Sequence, residues 1–179
     1  MNLSNNHRIL IYRINNTNTE YNPFEPKRMT KNKIDIQEQL ISNLPSTNKK
    51  TKNLVVLIVE ADLVKQMTIK IFIENKFATI ITGSSDNVIE ILKAIKIDVI
   101  LTDIAILGKM NGLELTTVLK RSSEFSHIPI IAVTAPACEI DKYKALRAGC
   151  NNYLEKPLSK KSLIDMIDVS IGQSKQRNS

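Results

Sequence analysis

The sequence contains no tryptophan, and aromatic residues make up only 4% of it. That scarcity argues against nucleic-acid readers built on stacking platforms and against flavin pockets. Cysteine is almost as rare. Cys138 and Cys150 are the only two, with no C-x-x-C pair and no cysteine and histidine cluster at metal-ligand spacing, which points to a reduced, cytoplasmic protein. The five glycines, Gly83, Gly108, Gly112, Gly149 and Gly172, form neither G-x-x-x-x-G-K nor G-x-G-x-x-G, so no phosphate-cradling loop is encoded. Long hydrophobic runs are missing too. The longest, Leu54 to Val59, falls far short of the ~20 residues a spanning helix needs. Near the N-terminus only Ile9 to Tyr12 is continuously apolar, too short for the core of a secretory signal. Neither membrane insertion nor export is expected.

What is present fits one domain with an appendage. The chain has 179 residues, 42% of them hydrophobic and 24% charged, enough apolar material for a real core. The net charge of +7 is unevenly spread: residues 1–53 carry a net of +5, whereas residues 54–171 carry 14 basic and 14 acidic side chains. Asparagine breaks at the same place, with 11 in the first 53 residues and 6 in the remaining 126. Basicity therefore belongs to the ends, and specific DNA binding is not expected. Residues 1–53 lack sustained periodicity and read as a mostly disordered polar and basic extension and linker. Within them Ile34, Ile36, Leu40, Ile41 and Leu44 allow a short amphipathic helix ending at Pro45, and Met29 is an alternative start. The segment after Gly172 reads as a short tail, too small for a DNA-binding effector.

From Leu54 to Ile171, β-rich runs alternate with helical stretches, the signature of βαβ units and a parallel sheet. Strands are predicted at Leu54 to Val59, Ala78 to Thr82, Val99 to Thr102, Ile130 to Thr134 and Asn152 to Leu154. Helical spacing recurs in Val88, Ile91, Leu92 and Ile95, in Leu115, Val118 and Leu119, and in Ile164, Ile167 and Ile171. Ser85 and Ser159 are candidate helix caps, and Gly149 a helix stop. Right-handed crossovers fold such a chain into a flavodoxin-like, doubly wound α/β sheet of five parallel strands in the order 2-1-3-4-5. Ligands then bind at the carboxyl ends of strands one and three.

Those strand ends carry Glu60, Ala61 and Asp62, then Asp103, Thr134 and Lys156. Singly, each is a cap, a turn former or a solvated cation; jointly they are informative. Clustered carboxylates repel one another and become tolerable beside a hard divalent cation such as Mg²⁺. A carboxylate oxygen can then attack phosphorus in line. Asp103, ending a buried apolar strand, is the best nucleophile; Lys156 supplies a point charge to phosphoryl oxygens and Thr134 a hydroxyl.

In sequence order, "VVLIVEAD", "DVILTDIAILGKMNGLE", "HIPIIAVTA" and "AGCNNYLEKPLS" resemble the receiver domains of two-component response regulators, of the single-domain, DivK-like kind. The resemblance covers 118 of the 179 residues. It implies a signalling module, not an enzyme, in which Asp103 accepts a phosphoryl group from a sensor histidine kinase or phosphotransfer protein with Mg²⁺. It also implies a switch through Thr134 and Tyr153, a cis bond between Lys156 and Pro157, and contact with a downstream protein target through the face of helix 4, strand 5 and helix 5. Metal ligation falls to Asp103, Glu60 and the backbone carbonyl of Ala105, with Asp62 as a further candidate.

Two departures from the family pattern stand out. Where receivers carry a second acid, this chain has Ala61, which cannot coordinate a metal; Asp62, one position on, reads more readily as a helix cap. The loop after Asp103 has Leu107 where the family has proline and one residue more before Gly112. That predicts a looser loop and looser phosphoryl-binding amides. These departures keep open a second reading, a pseudo-receiver that binds partners without phosphorylation. A dehalogenase-like phosphatase is the enzyme alternative, but Glu60 is a methylene longer than the aspartate its chemistry needs.

Overall fold

A computed structural model describes residues 54–134 and 139–177 of the chain. The sequence-predicted extension 1–53, with its candidate helix at Ile34 to Leu44, and Cys138 lie outside the described residues. Five strands, β1 (Val55–Val59), β2 (Ala78–Thr82), β3 (Val99–Thr102), β4 (Ile130–Thr134) and β5 (Asn152–Glu155), alternate with helices α1 (Leu63–Ile73), α2 (Val88–Ala94), α3 (Gly112–Arg121), α4 (Glu139–Ala148) and α5 (Lys160–Arg177). A short 3-10 helix, Ser85–Asn87, leads into α2. The strands form one parallel sheet in the order β2-β1-β3-β4-β5, as the alternating pattern predicts.

Each face of the sheet has its own core. Odd-facing residues such as Leu57, Ile100 and Ile130 pack with Val88, Ile91, Leu115, Leu119 and Ala145, so α2, α3 and α4 cover one side. Ile58, Leu101 and Ile131 pack with Ile69, Ile73, Leu163, Ile167 and Ile171, so α1 and α5 cover the other. Coverage on both faces explains why β1, β3 and β4 read as unbroken apolar runs and are buried throughout.

Local signals set most boundaries. Asn111 caps α3 in a reciprocal capping box with Glu114, and the Ser159 hydroxyl accepts from the Ser162 amide at 3.0 Å. Gly149 ends α4 with φ of 104°, a conformation that favours glycine. Three local expectations differ. Val118, at helical spacing, is exposed because it lies off the stripe on which Leu115 and Leu119 face the core; on α5, Leu163, outside the predicted set, is fully buried. Helix α5 runs on through Gly172, where a tail was expected, to Arg177, and the Ser174 hydroxyl donates to the His127 carbonyl at 2.9 Å. Ser85 does not cap α2: Ser84 caps the 3-10 turn, and Ser85 faces inward.

The exposure contrast on α3 is directly measurable. Leu119→Ala, at a site with no exposed area, is expected to cost about 2–5 kcal/mol in urea unfolding. Val118→Ala one residue away is expected to stay within about 0.5 kcal/mol of the parent.

Candidate functional site

The sheet topology places the ends of β1 and β3 side by side, with Val59 opposite Thr102. The residues just beyond, Glu60 and Asp103, therefore emerge together, and the Asp103 amide donates back to the Val59 carbonyl at 3.0 Å. Both acids are buried. Two buried carboxylates side by side need a cation, and it comes from the end of β5. The Lys156 ammonium donates to Glu60 Oε2 and to Asp103 Oδ2, each at 2.7 Å. The Lys156–Pro157 bond is cis, as expected.

Backbone amides hold the other two carboxylate oxygens. Asp103 Oδ1 accepts from the Ala105 amide at 3.1 Å, and Glu60 Oε1 from the Asp62 amide at 3.0 Å. Gln66, buried on α1, donates its side-chain amide to the Glu60 carbonyl at 2.5 Å. Burial pushes the Asp103 carboxyl up, but the Lys156 ammonium and the Ala105 amide outweigh it, leaving the group below the ordinary carboxylate value. Lys156 is likewise opposed by burial, yet its two carboxylate partners hold it above the ordinary lysine value.

The remaining candidate residues fall in distinct places. Asp62 does not join the pocket: its Oδ1 accepts from the amides of Val64 and Lys65, at 2.8 and 3.0 Å, and caps α1. Those bonds, that to Lys65 foremost, lower its carboxyl. Thr134 is buried at the end of β4, and its carbonyl accepts from the Lys156 amide at 2.8 Å. Tyr153 pairs with Ala132 and packs against the α2, α3 and α4 core. With a side-chain period of two along a strand, Thr134 lies on that same face of β4. Cys150 is buried beside Thr116, and burial pushes its thiol up, so it is an inert packing residue.

The loop after Asp103 is not loosened. It is closed at its base by the Gly112 amide on the Ile104 carbonyl at 2.9 Å, and a Cβ at Gly112 would overlap the Asp103 carbonyl. Ile106 is buried in the core, and the tip rests on the turn after β2, where Ser84 and Leu107 form a parallel bridge. Sequence reasoning missed this contact and the roles of Ser85, Asp86 and Gln66. It missed Lys156 to Glu60 as well, a pair 96 residues apart with no local signal.

Residues 56–168 match the response regulator receiver domain model. The chain belongs to the response regulator receiver family. It is 35% identical over 120 residues to the polar-differentiation response regulator DivK of Brucella ovis, covering 66% of this chain and 97% of that protein. A putative response regulator from Chloroflexus aurantiacus has the same fold, with a TM-score of 0.65 at 20% identity over 68% of this chain and 99% of that one. The receiver domain of a Pseudomonas aeruginosa sensor histidine kinase, with a magnesium ion coordinated in its active site cleft, superposes with a TM-score of 0.62 at 26% identity, covering 67% of this chain and 98% of its own.

The donor set of this receiver suits magnesium, which typically takes one or two carboxylates and completes its shell with water and phosphate. Only Glu60 and Asp103 supply carboxylates to the pocket, and among the described residues no group of three or more metal-ligating side chains forms. The receiver keeps a reduced site, in which Lys156 shares the carboxylates that the ion would use.

Two measurements probe this balance. Ala61→Asp is expected to tighten magnesium binding at least about tenfold by isothermal calorimetry, because it adds an anion at the strand end. Lys156→Met is expected to raise the titration midpoint of the Asp103 carboxyl, followed by carbon NMR, because the ammonium that holds it down is gone. The sign follows from the lowered folded-state value. Asp103 contributes stability above the unfolded carboxylate pKa of ~3.9 and loses it as the pH falls through its folded value, and that acid-dependent loss is expected to shrink in Lys156→Met.

Proposed function

We propose that Asp103 accepts a phosphoryl group and that this receiver relays a signal by protein contact. The observation that carries the reading is the Lys156 ammonium at 2.7 Å from Asp103 Oδ2, in a pocket at the carboxyl end of a parallel sheet. A carboxylate oxygen of Asp103 attacks phosphorus in line; the bond from phosphorus to the donor nitrogen of a phosphohistidine breaks as the new oxygen–phosphorus bond forms. The histidine leaves with the electron pair and takes a proton. Lys156 is poised to move from carboxylate to phosphoryl oxygens, and the Ala105 amide is a further donor. Glu60, Asp103 and the Ala105 carbonyl would hold a magnesium ion, which neutralises phosphoryl charge when bound.

A phosphoryl group adds charge and strong acceptors beside β4. The Thr134 hydroxyl turns toward it, and Tyr153, on the same sheet face, moves into the vacated space. The surface of α4, β5 and α5 thereby changes for a downstream protein partner. The phosphodonor is a sensor histidine kinase or a phosphotransfer protein. Such a module turns over no substrate of its own, and with no described helix long and apolar enough to cross a membrane, a cytoplasmic setting suits it.

One observation favours a second reading. Ala61 stands where receivers carry a metal-binding acid and cannot coordinate an ion, a loss expected of a pseudo-receiver that signals without phosphorylation. Incubation with acetyl phosphate and magnesium separates the two. An acid-stable, alkali-labile phosphoryl group that is lost in Asp103→Asn is the expected result; absence of label on the parent protein supports the pseudo-receiver.

A further inference from the structure

The turn between β2 and α2 carries three consecutive polar residues, Ser84, Ser85 and Asp86, and all three engage the loop that follows Asp103. The Ser85 amide donates to the Leu107 carbonyl at 2.9 Å, and the Ser85 hydroxyl accepts from the Met110 amide at 3.2 Å. The Asp86 carboxylate accepts from the Lys109 amide at 3.0 Å. Between these contacts Gly108 adopts φ of 111°, and a Cβ there would overlap the hydroxyls of both Ser84 and Ser85. Ser85 is almost fully buried. A buried hydroxyl used this way is a built contact, since leaving the Met110 amide unpaired is unfavourable.

The geometry points to a latch: the Ser84–Ser85–Asp86 turn positions the loop so that the Ala105 amide meets the Asp103 carboxylate. Ala105 lies between two fixed points, the base closed by Ile104 and Gly112 and the tip held at Leu107 through Met110. With both ends fixed, the residue between them has few orientations left. Ser85 and Asp86 are therefore positioning residues, acting through the loop backbone and touching no phosphoryl group themselves. Gly108, with its positive φ and no Cβ, is what lets the backbone come close enough for the latch to engage. The latch takes its functional meaning from the phosphoacceptor reading of Asp103, but its geometry is testable without it.

The test compares the full chain with Asp86→Ala, Asp86→Asn and Gly108→Ala, all nitrogen-15 labelled. Amide exchange and the Ala105 amide shift are measured by NMR, and labelling of Asp103 by acetyl phosphate is followed in parallel. In Asp86→Ala the Lys109 and Ala105 amides are expected to exchange roughly tenfold faster, the scale of one lost hydrogen bond. Phosphoryl labelling is expected to slow about fivefold in the same variant. Asp86→Asn, which keeps an acceptor oxygen, is expected to behave as the parent. Gly108→Ala is expected to exceed Asp86→Ala in both effects; should it not fold, the Asp86 pair decides alone. Faster exchange at Lys109 with an unmoved Ala105 shift and exchange rate overturns the latch. If the parent takes no label, the phosphoacceptor reading falls, while the Ala105 amide still upholds or overturns the latch.

Discussion

The Lys156 ammonium, shared between Glu60 and Asp103, is the interaction around which the site is organised. Two buried carboxylates from neighbouring strands would be prohibitive without it, because desolvation and mutual repulsion act in the same direction. The contact spans nearly the whole domain, joining the ends of β1, β3 and β5. On the proposed phosphoacceptor reading, it is also the interaction that an incoming phosphoryl group would rearrange. A buried ion pair of this kind is weak evidence of stability, yet removing either partner would leave an uncompensated buried charge.

Ala61 alters how that balance is struck. With two carboxylates and one ammonium, the pocket holds a single net negative charge. A second acid at the strand end would leave it doubly negative and more dependent on a divalent ion. Fewer acids leave less negative charge to draw in a divalent ion and more of it matched by Lys156. Asp62, one residue further on, cannot repair the loss because its carboxylate is already satisfied by the first turn of α1. Moving it would expose two helix amides to obtain one ligand.

The fold was largely legible because its signals are periodic and redundant. β2, β3 and β4 were bounded correctly from apolar runs alone, since coverage on both faces leaves no polar alternation to confuse the reading. Asp103 and Lys156 were legible as strand-end residues, because topology brings strand ends together whatever the loops do. What was hidden depended on single rotations or on the path of a loop. Val118 and Leu163 lie within one helical step of the sheet-facing stripe, and only the docked helix decides which points inward. Ser85 has the composition of a cap, and its partner, the Met110 amide, is 25 residues away. No spacing rule reaches across a crossover helix to a loop amide.

The loop after Asp103 shows why an insertion need not mean laxity. Lengthening a free loop costs entropy slowly, so the extra residue is tolerated, and what it does depends on where the chain next finds partners. Here Leu107, Lys109 and Met110 lie on a turn whose backbone and side chains satisfy them. The proline that the family uses restricts the backbone through its own ring. This chain reaches a comparable restriction through contacts with the β2–α2 turn, so the order of the loop after Asp103 depends on a neighbouring segment as well as on its own sequence. Such a loop responds to whatever touches that turn.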